Sequence, residues 1–335
     1  MKALRLLAIA VAAVLAACSP AKSPAPSANG LTPIRFATDW RAQAEQGGFY
    51  QALATGEYRK RGLDVTIIQG GPAVNVPLLL ATNAIDLGIG SNSFIALNQA
   101  VQKTGVKAVM ASMQSDPQVL IAHQGQGIRS IADMKGRPIL LSDASITAFW
   151  VWLKAKYGFT DAQIRPYTTS AVFLTNPSVI EEGYLTSEPY TIEKASGVRP
   201  AVFLLADEGY PGYSAMVLAN GKLIGANPAA VKAFVDATAA GWKSYLYGDS
   251  SPGDALILKD NPEMTPDLLA YARDAMRKKG IVLSGDAATQ GIGAMTDARW
   301  AAFFNTVSSQ DPADYPKSLD YHQAYTLQFL PTGVK

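Results

Sequence analysis

The chain has 335 residues, 48% of them apolar and 17% charged, with 29 basic against 27 acidic side chains, two histidines and one cysteine. That is enough material for two lobes of ordinary domain size. A formal charge of +2 with no basic stripe or acidic tail argues against nucleic acid as a partner, and so few His and Cys leave little for a metal cluster or a Ser-His-Asp triad.

The chain starts with Lys2 and Arg5 and then runs apolar over residues 6–17. Such a run makes a helix of about 18 Å, short of a hydrocarbon core of about 30 Å, so it reads as a secretion signal and not as a span. It closes as Leu15-Ala16-Ala17-Cys18, which is similar to a bacterial lipobox. Cleavage before Cys18 and acylation of its thiol and amine would anchor the chain and leave no disulfide, thiolate metal site or Cys nucleophile. An ordinary signal followed by a chance Cys is the alternative. Because Lys2 and Arg5 leave with the signal, the mature chain is formally neutral. Residues 18–33, rich in Pro, Ser and Ala, bury too little to offset their ordering entropy and are expected to form a solvated tether.

From residue 34, short strand-like runs alternate with helical ones, the pattern of α/β layers with largely parallel sheets. A strand at 33–38 leads to a helix at 47–61, which Gly62 stops in the left-handed conformation. Then come a strand at 63–69, helices at 76–83 and 93–104, and strands at 85–90, 106–113 and 118–123. After a Gly/Gln/Ser loop a second series follows: a strand at 137–141, an aromatic-rich helix at 145–157 ended by Gly158, and strands at 164–168, 183–187 and 202–206. Beyond a strand at 213–219 the pattern turns helical, at 228–247, 253–259, 266–279 and 297–308. Two such blocks predict an α/β fold of two lobes with a cleft between them. The first lobe is residues 34–122 plus 207–335 and the second is 123–206, with 118–122 and 213–217 as hinge crossings.

Ligands of open α/β sheets sit beyond the carboxyl ends of the strands. Asp39 and Trp40 follow the first strand, and a carboxylate beside an indole suits a planar, hydrogen-bonding heterocycle. An N-cap Asp with a core Trp fits the same spacing. Gly47 and Gly48 would let the backbone approach a ligand closely. Asn92, after the strand at 85–90, and Ser145, before a helix, are either ligand contacts or caps. Glu188 and Tyr190 stand in Thr186-Ser187-Glu188-Pro189-Tyr190, where an acid flanked by tyrosines ends a strand; a turn with a solvated Glu reads equally well. Trp150 and Trp152 have the spacing of core residues, and His123 fits a hinge or core position. Gln124-Gly125-Gln126-Gly127 and Gly88-Ile89-Gly90 lack the third glycine of a dinucleotide loop, and there is no Walker-type lysine loop, so no cofactor, metal or catalytic residue is expected.

Three segments carry a resemblance: Ala37-Thr38-Asp39-Trp40 with residues 47–58, Gly62-Leu63-Asp64-Val65, and residues 183–190 with Ile192-Glu193-Lys194. They are similar to the periplasmic solute-binding proteins of the nitrate, sulfonate and thiamine-precursor group, and most closely to the branch that binds thiamine pyrimidine precursors. The resemblance implies a two-lobed periplasmic binding protein, type II-like, with its ligand in the interlobe cleft. It also implies a monomer that serves an ABC permease and ATPase from the periplasm or cell surface, with no enzymatic activity. It makes Asp39, Trp40, Glu188 and Tyr190 the leading contacts, with Asn92 and Ser145 behind them. Arg41-Ala42-Gln43-Ala44 and Gln46 depart from that branch, which often has a Pro/Asn-rich stretch and a His there. A sulfonate, nitrate or riboflavin-like ligand is the alternative, and a secreted enzyme on the same fold is the other class. The eukaryotic relatives that make the pyrimidine carry a cysteine-rich segment, which this chain lacks.

Overall fold

The first strand reads T-P-I-R-F-A, and its alternation buries Ile34 and Phe36 while Arg35 turns outward to pair with Asp86 at 2.9 Å. The computed structural model describes residues 30–71, 74–146 and 148–331, so the signal, Cys18 and most of the expected tether lie outside the described residues. The strand already begins at Thr32, whose amide donates to the Gly62 carbonyl. The last two residues assigned to the tether therefore belong to the sheet.

The described residues hold ten strands, in order β1 (Thr32–Ala37), β2 (Leu63–Ile68), β3 (Leu87–Asn92), β4 (Lys107–Met113), β5 (Gln118–Ala122), β6 (Ile139–Leu141), β7 (Ile164–Pro166), β8 (Ile180–Tyr184), β9 (Ala201–Leu204) and β10 (Ser214–Ala219). They form two five-stranded sheets, ordered β2-β1-β3-β10-β4 and β7-β6-β8-β5-β9. In the first, β1 runs parallel to β2 and β3, and β10 lies antiparallel between β3 and β4. In the second, β6 runs parallel to β7 and β8, and β5 lies antiparallel between β8 and β9. This is the expected two-lobed α/β architecture.

The hinge differs from its expectation. Strands β5 and β10 are interior members of one sheet each, so neither crosses between lobes. The crossings are the irregular stretches before them, 114–117 and 205–213. The strand at 118–122 pairs in the second sheet, not at the end of the first lobe.

Several boundaries move for local reasons. The helix expected over 47–61 is two, Gly47–Ala54 and Glu57–Lys60, interrupted at Gly56 with φ +74°. The strand expected over 183–187 is instead β8, ending at Tyr184, and Glu188 opens the helix Glu188–Ser196 with Pro189 in its first turn. Gly62 and Gly158 take the left-handed conformation, at φ +79° and +66°. One core lies against the first sheet, where Phe36 and Phe49 meet Phe234 and Trp242 of the helix Pro228–Tyr247. Another is shared by both lobes, joining Leu80 and Phe94 of the first to Leu120 and Trp150 of the second through Trp300 and Phe303 of the helix Asp297–Gln310.

Candidate functional site

The chain after β1 turns sharply because the Thr38 hydroxyl donates to the Trp40 carbonyl (2.6 Å) and accepts the Gly70 amide (2.9 Å). A Cβ at Gly70 would stand 2.2 Å from the Thr38 carbonyl oxygen, so only glycine lets the strand ends come this close. The turn presents Asp39, whose Oδ2 accepts the Ser91 hydroxyl at 2.6 Å from the end of β3. Its Oδ1 is buried without a partner. Burial raises its pKa, against hydrogen bonds from Ser91 and Gln46. Trp40 next to it is 44% exposed, so its indole is not a core side chain.

The following one-turn helix Ala44–Gln46 buries Glu45. The buried Thr186 hydroxyl, from the other lobe, donates to its Oε1. Burial pushes Glu45 up to about 7, and the negative charges of Glu188 and Asp39 push the same way. Asp39 and Glu188 thus act on one buried carboxylate from opposite lobes.

On the second lobe, Glu188 folds back over Gly183, where a Cβ would stand 2.8 Å from its Cβ and Cγ. Its Oε2 accepts the Tyr184 amide at 2.6 Å and the Ser187 hydroxyl. Burial raises its pKa. Glu182 accepts the Ser142 amide at 2.9 Å and a hydrogen bond from Ser145, while Glu181 accepts the Ser170 hydroxyl at 2.5 Å. Burial lifts both to about 7, and each keeps a buried Oε2 without a partner. Asp116, in the crossing between β4 and β5, is also lifted to about 7 by burial. Around the Tyr184 phenol lie Asp116, Asp39, Glu45 and Glu182, which together with burial hold it protonated.

Among the described residues, none of these six carboxylates forms an ion pair. No described group of His, Cys, Asp and Glu has the arrangement of a metal site. Glu45, Asp116, Glu181 and Glu182, raised to about 7, stay partly protonated at neutral pH, and a set of carboxylates without cations favours a guest that brings positive charge or N–H donors.

Of the residues expected from sequence, Asp39 and Glu188 come together in this cluster, and Ser145 joins it through Glu182. Three others have structural partners of their own. Gly48 is buried in the helix Gly47–Ala54, where a Cβ would stand 2.2 Å from the Trp242 ring, so it serves helix packing and not approach to a ligand. Asn92 caps the helix Ser93–Val101 through the Phe94 amide at 3.1 Å. Tyr190 packs against Tyr271, ring centres 5.1 Å apart, with Lys194 over its face. Trp150 and Trp152 are core residues as expected, and His123 stacks on Phe173 and bonds its carbonyl at 2.7 Å. Sequence reading missed Glu45, Asp116, Glu181, Glu182 and Tyr184. The signal for two of them was present, since paired acids directly after Val179-Ile180 are unusual inside a strand.

The profile of the family described as NMT1/THI5 like matches residues 43–248, more than half of the chain. The chain belongs to the NMT1/THI5-like family. No curated protein sequence matches it significantly. Its fold is similar to that of the periplasmic aliphatic sulphonate binding protein SsuA from Escherichia coli, at 15% identity and TM-score 0.67 over 90% of this chain and 94% of that one. The alkanesulfonate-binding protein SsuA from Xanthomonas axonopodis pv. citri, bound to MOPS, matches at 14% identity and TM-score 0.64 over 88% and 98%. The desulfurization enzyme DszB matches at 14% identity and TM-score 0.56 over 89% and 97%, so binding proteins and an enzyme share this fold.

Within this NMT1/THI5-like chain the matched span includes Glu45, Asp116, Glu181, Glu182, Tyr184 and Glu188, while Asp39 and Trp40 lie just before it. Both lobes contribute to the cluster, which puts it at the cleft between the sheets. The interlobe contact near Glu45 is tight, leaving only about 10 Å³ among Gln43, Glu45, Thr186, Ser187 and Leu268.

Proposed function

We propose that this protein is the substrate-binding component of an ABC importer, acting as a monomer held at the membrane by lipid on Cys18 and capturing a small amine-bearing heterocycle such as a thiamine pyrimidine precursor. The observation that carries this reading is the set of six carboxylates, Asp39, Glu45, Asp116, Glu181, Glu182 and Glu188, which form no ion pair among the described residues. Ring amino groups or a protonated ring nitrogen bonded to such acids gain about 1.5–3 kcal/mol each. A few such bonds and a ring stacked on Trp40 or Tyr184 reach the roughly 8 kcal/mol of micromolar binding. Lobe closure over the guest would then give the permease a loaded shape to recognise.

A second reading is a sulfonate ligand, favoured by the fold shared with the two SsuA proteins. The acid cluster speaks against it, because a sulfonate would face like charge and, among the described residues, find no lysine or arginine paired with these acids. Calorimetry with an aminopyrimidine and with an alkanesulfonate separates the two. The first reading expects the aminopyrimidine to bind, and Asp39→Ala and Glu188→Ala each to weaken it by about tenfold or more, or about 1.4 kcal/mol. Alkanesulfonate binding that is indifferent to Glu188→Ala would replace it with the second. Turnover of either compound by the purified protein would favour an enzyme. Anchoring has a separate test, since Cys18→Ser should move the protein out of the membrane fraction.

A further inference from the structure

Among the described residues, two stretches of chain pass between the sheets, 114–117 and 205–213. Arg299, in the first turn of the helix Asp297–Gln310, reaches both. Its guanidinium donates to the Gln114 carbonyl in one crossing, and to the Gly212 (3.0 Å) and Pro211 (3.4 Å) carbonyls in the other. It lies over the Tyr213 ring, 4.1 Å from the centre. The Tyr213 hydroxyl donates to Asp286 and accepts the Thr296 amide at 2.9 Å, and the Gln114 side chain donates to the Ala294 carbonyl at 2.8 Å. Both crossings are thereby tied to the same C-terminal segment. Gly285, at φ +46°, keeps room for the guanidinium, since a Cβ there would stand 3.3 Å from Nη1.

The fixed fork of a guanidinium matters in this place. Its donors diverge in one plane and can serve carbonyls on two separate segments while the flat face rests on a phenol ring; an ammonium on a flexible stem cannot do both. Among the described residues the guanidinium gives its hydrogen bonds to the carbonyls of the two crossings and none to the cleft carboxylates.

We infer that Arg299 is a positioning residue that staples the hinge. It holds the two crossings together at their first-lobe ends, fixes the axis about which the lobes rotate, and so sets how far apart they stand without ligand. The inference rests on the two-lobed fold and not on which ligand is bound.

The test uses the ligand-free protein with spin labels on exposed helix positions of each lobe, introduced as Ala54→Cys and Ala195→Cys in a Cys18→Ser background. Pulsed dipolar spectroscopy reads the interlobe distance distribution. Arg299→Met is expected to broaden it and shift it to longer distances, with Arg299→Lys falling between that variant and the parent. The control is Arg273→Met, which breaks the Arg273–Asp254 pair (2.6 Å) inside the first lobe and should lower thermal stability while leaving the distribution unchanged. An unchanged distribution in the Arg299 variants, or equal broadening in Arg273→Met, overturns the inference. Should Arg299→Met fail to fold, Arg299→Lys against the parent decides it by the same reading.

Discussion

The Thr186 hydroxyl donates a hydrogen bond to the buried carboxylate of Glu45, bridging the end of β8 and the turn after β1. Glu45 is thereby the carboxylate most directly shared by the two lobes, with Asp39 and Glu188 acting on it from either side.

Replacing Glu45 with Gln keeps an oxygen that can accept from Thr186 but removes the charge. A carboxyl moved from 4.5 to about 7 carries an ionisation penalty on the order of 3 kcal/mol at alkaline pH. The Glu45→Gln variant should therefore unfold at a higher temperature than the parent at about pH 8, by calorimetry, and should bind an amine-bearing ligand more weakly. A lower unfolding temperature at that pH would mean that Glu45 is stabilised by a cation partner the geometry does not reveal.

The same reasoning sets the pH dependence of the whole protein. Glu45, Asp116, Glu181 and Glu182 are raised to about 7 by burial, from ordinary values of 3.8 to 4.5. A raised carboxyl holds its proton more tightly when folded than when unfolded, so its stabilising effect is complete below the unfolded value and is lost as pH rises through the folded one. The unfolding temperature of the ligand-free protein should fall between about pH 5 and pH 8. A cationic ligand should oppose that fall, so its stabilising shift grows over the same interval. A flat or rising profile would contradict the burial of these acids.

The outline of the fold was legible from the sequence because it is written in local signals. The alternation of β1, the glycine stop at Gly62 and the proline start of the helix Pro228–Tyr247 fall where the pattern puts them. The site was legible only in part. Asp39 and Glu188 stand at strand ends, where the positional rule looks. Glu45 lies in a short turn with no periodicity, and Asp116 lies in a hinge segment, so neither is marked by pattern. Glu181 and Glu182 were passed over because the strand was expected to begin at Gly183; it starts at Ile180, which puts both acids inside it. The resemblance points to Tyr190, and nothing in the local sequence marks Tyr184, whose phenol lies among carboxylates of both lobes.

Two glycines separate packing from recognition. At Gly48, a Cβ would be driven to 2.2 Å from the fully buried Trp242 ring, where the helices Gly47–Ala54 and Pro228–Tyr247 cross. Neither the ring nor the backbone has room to move, so Gly48→Ala should cost about 3 kcal/mol of stability by chemical denaturation. At Gly183 the obstructed group is Glu188, 2.8 Å away at Cβ and Cγ; rotation about χ1 carries Cγ away, but Cβ moves only with the backbone of the helix Glu188–Ser196. Gly183→Ala should therefore cost stability through a shift of that helix, and also dislodge Glu188 from the Tyr184 amide and lower ligand affinity about as much as Glu188→Ala does. If Gly183→Ala binds as the parent does while Glu188→Ala does not, the folded-back position of Glu188 is not the one that meets the ligand.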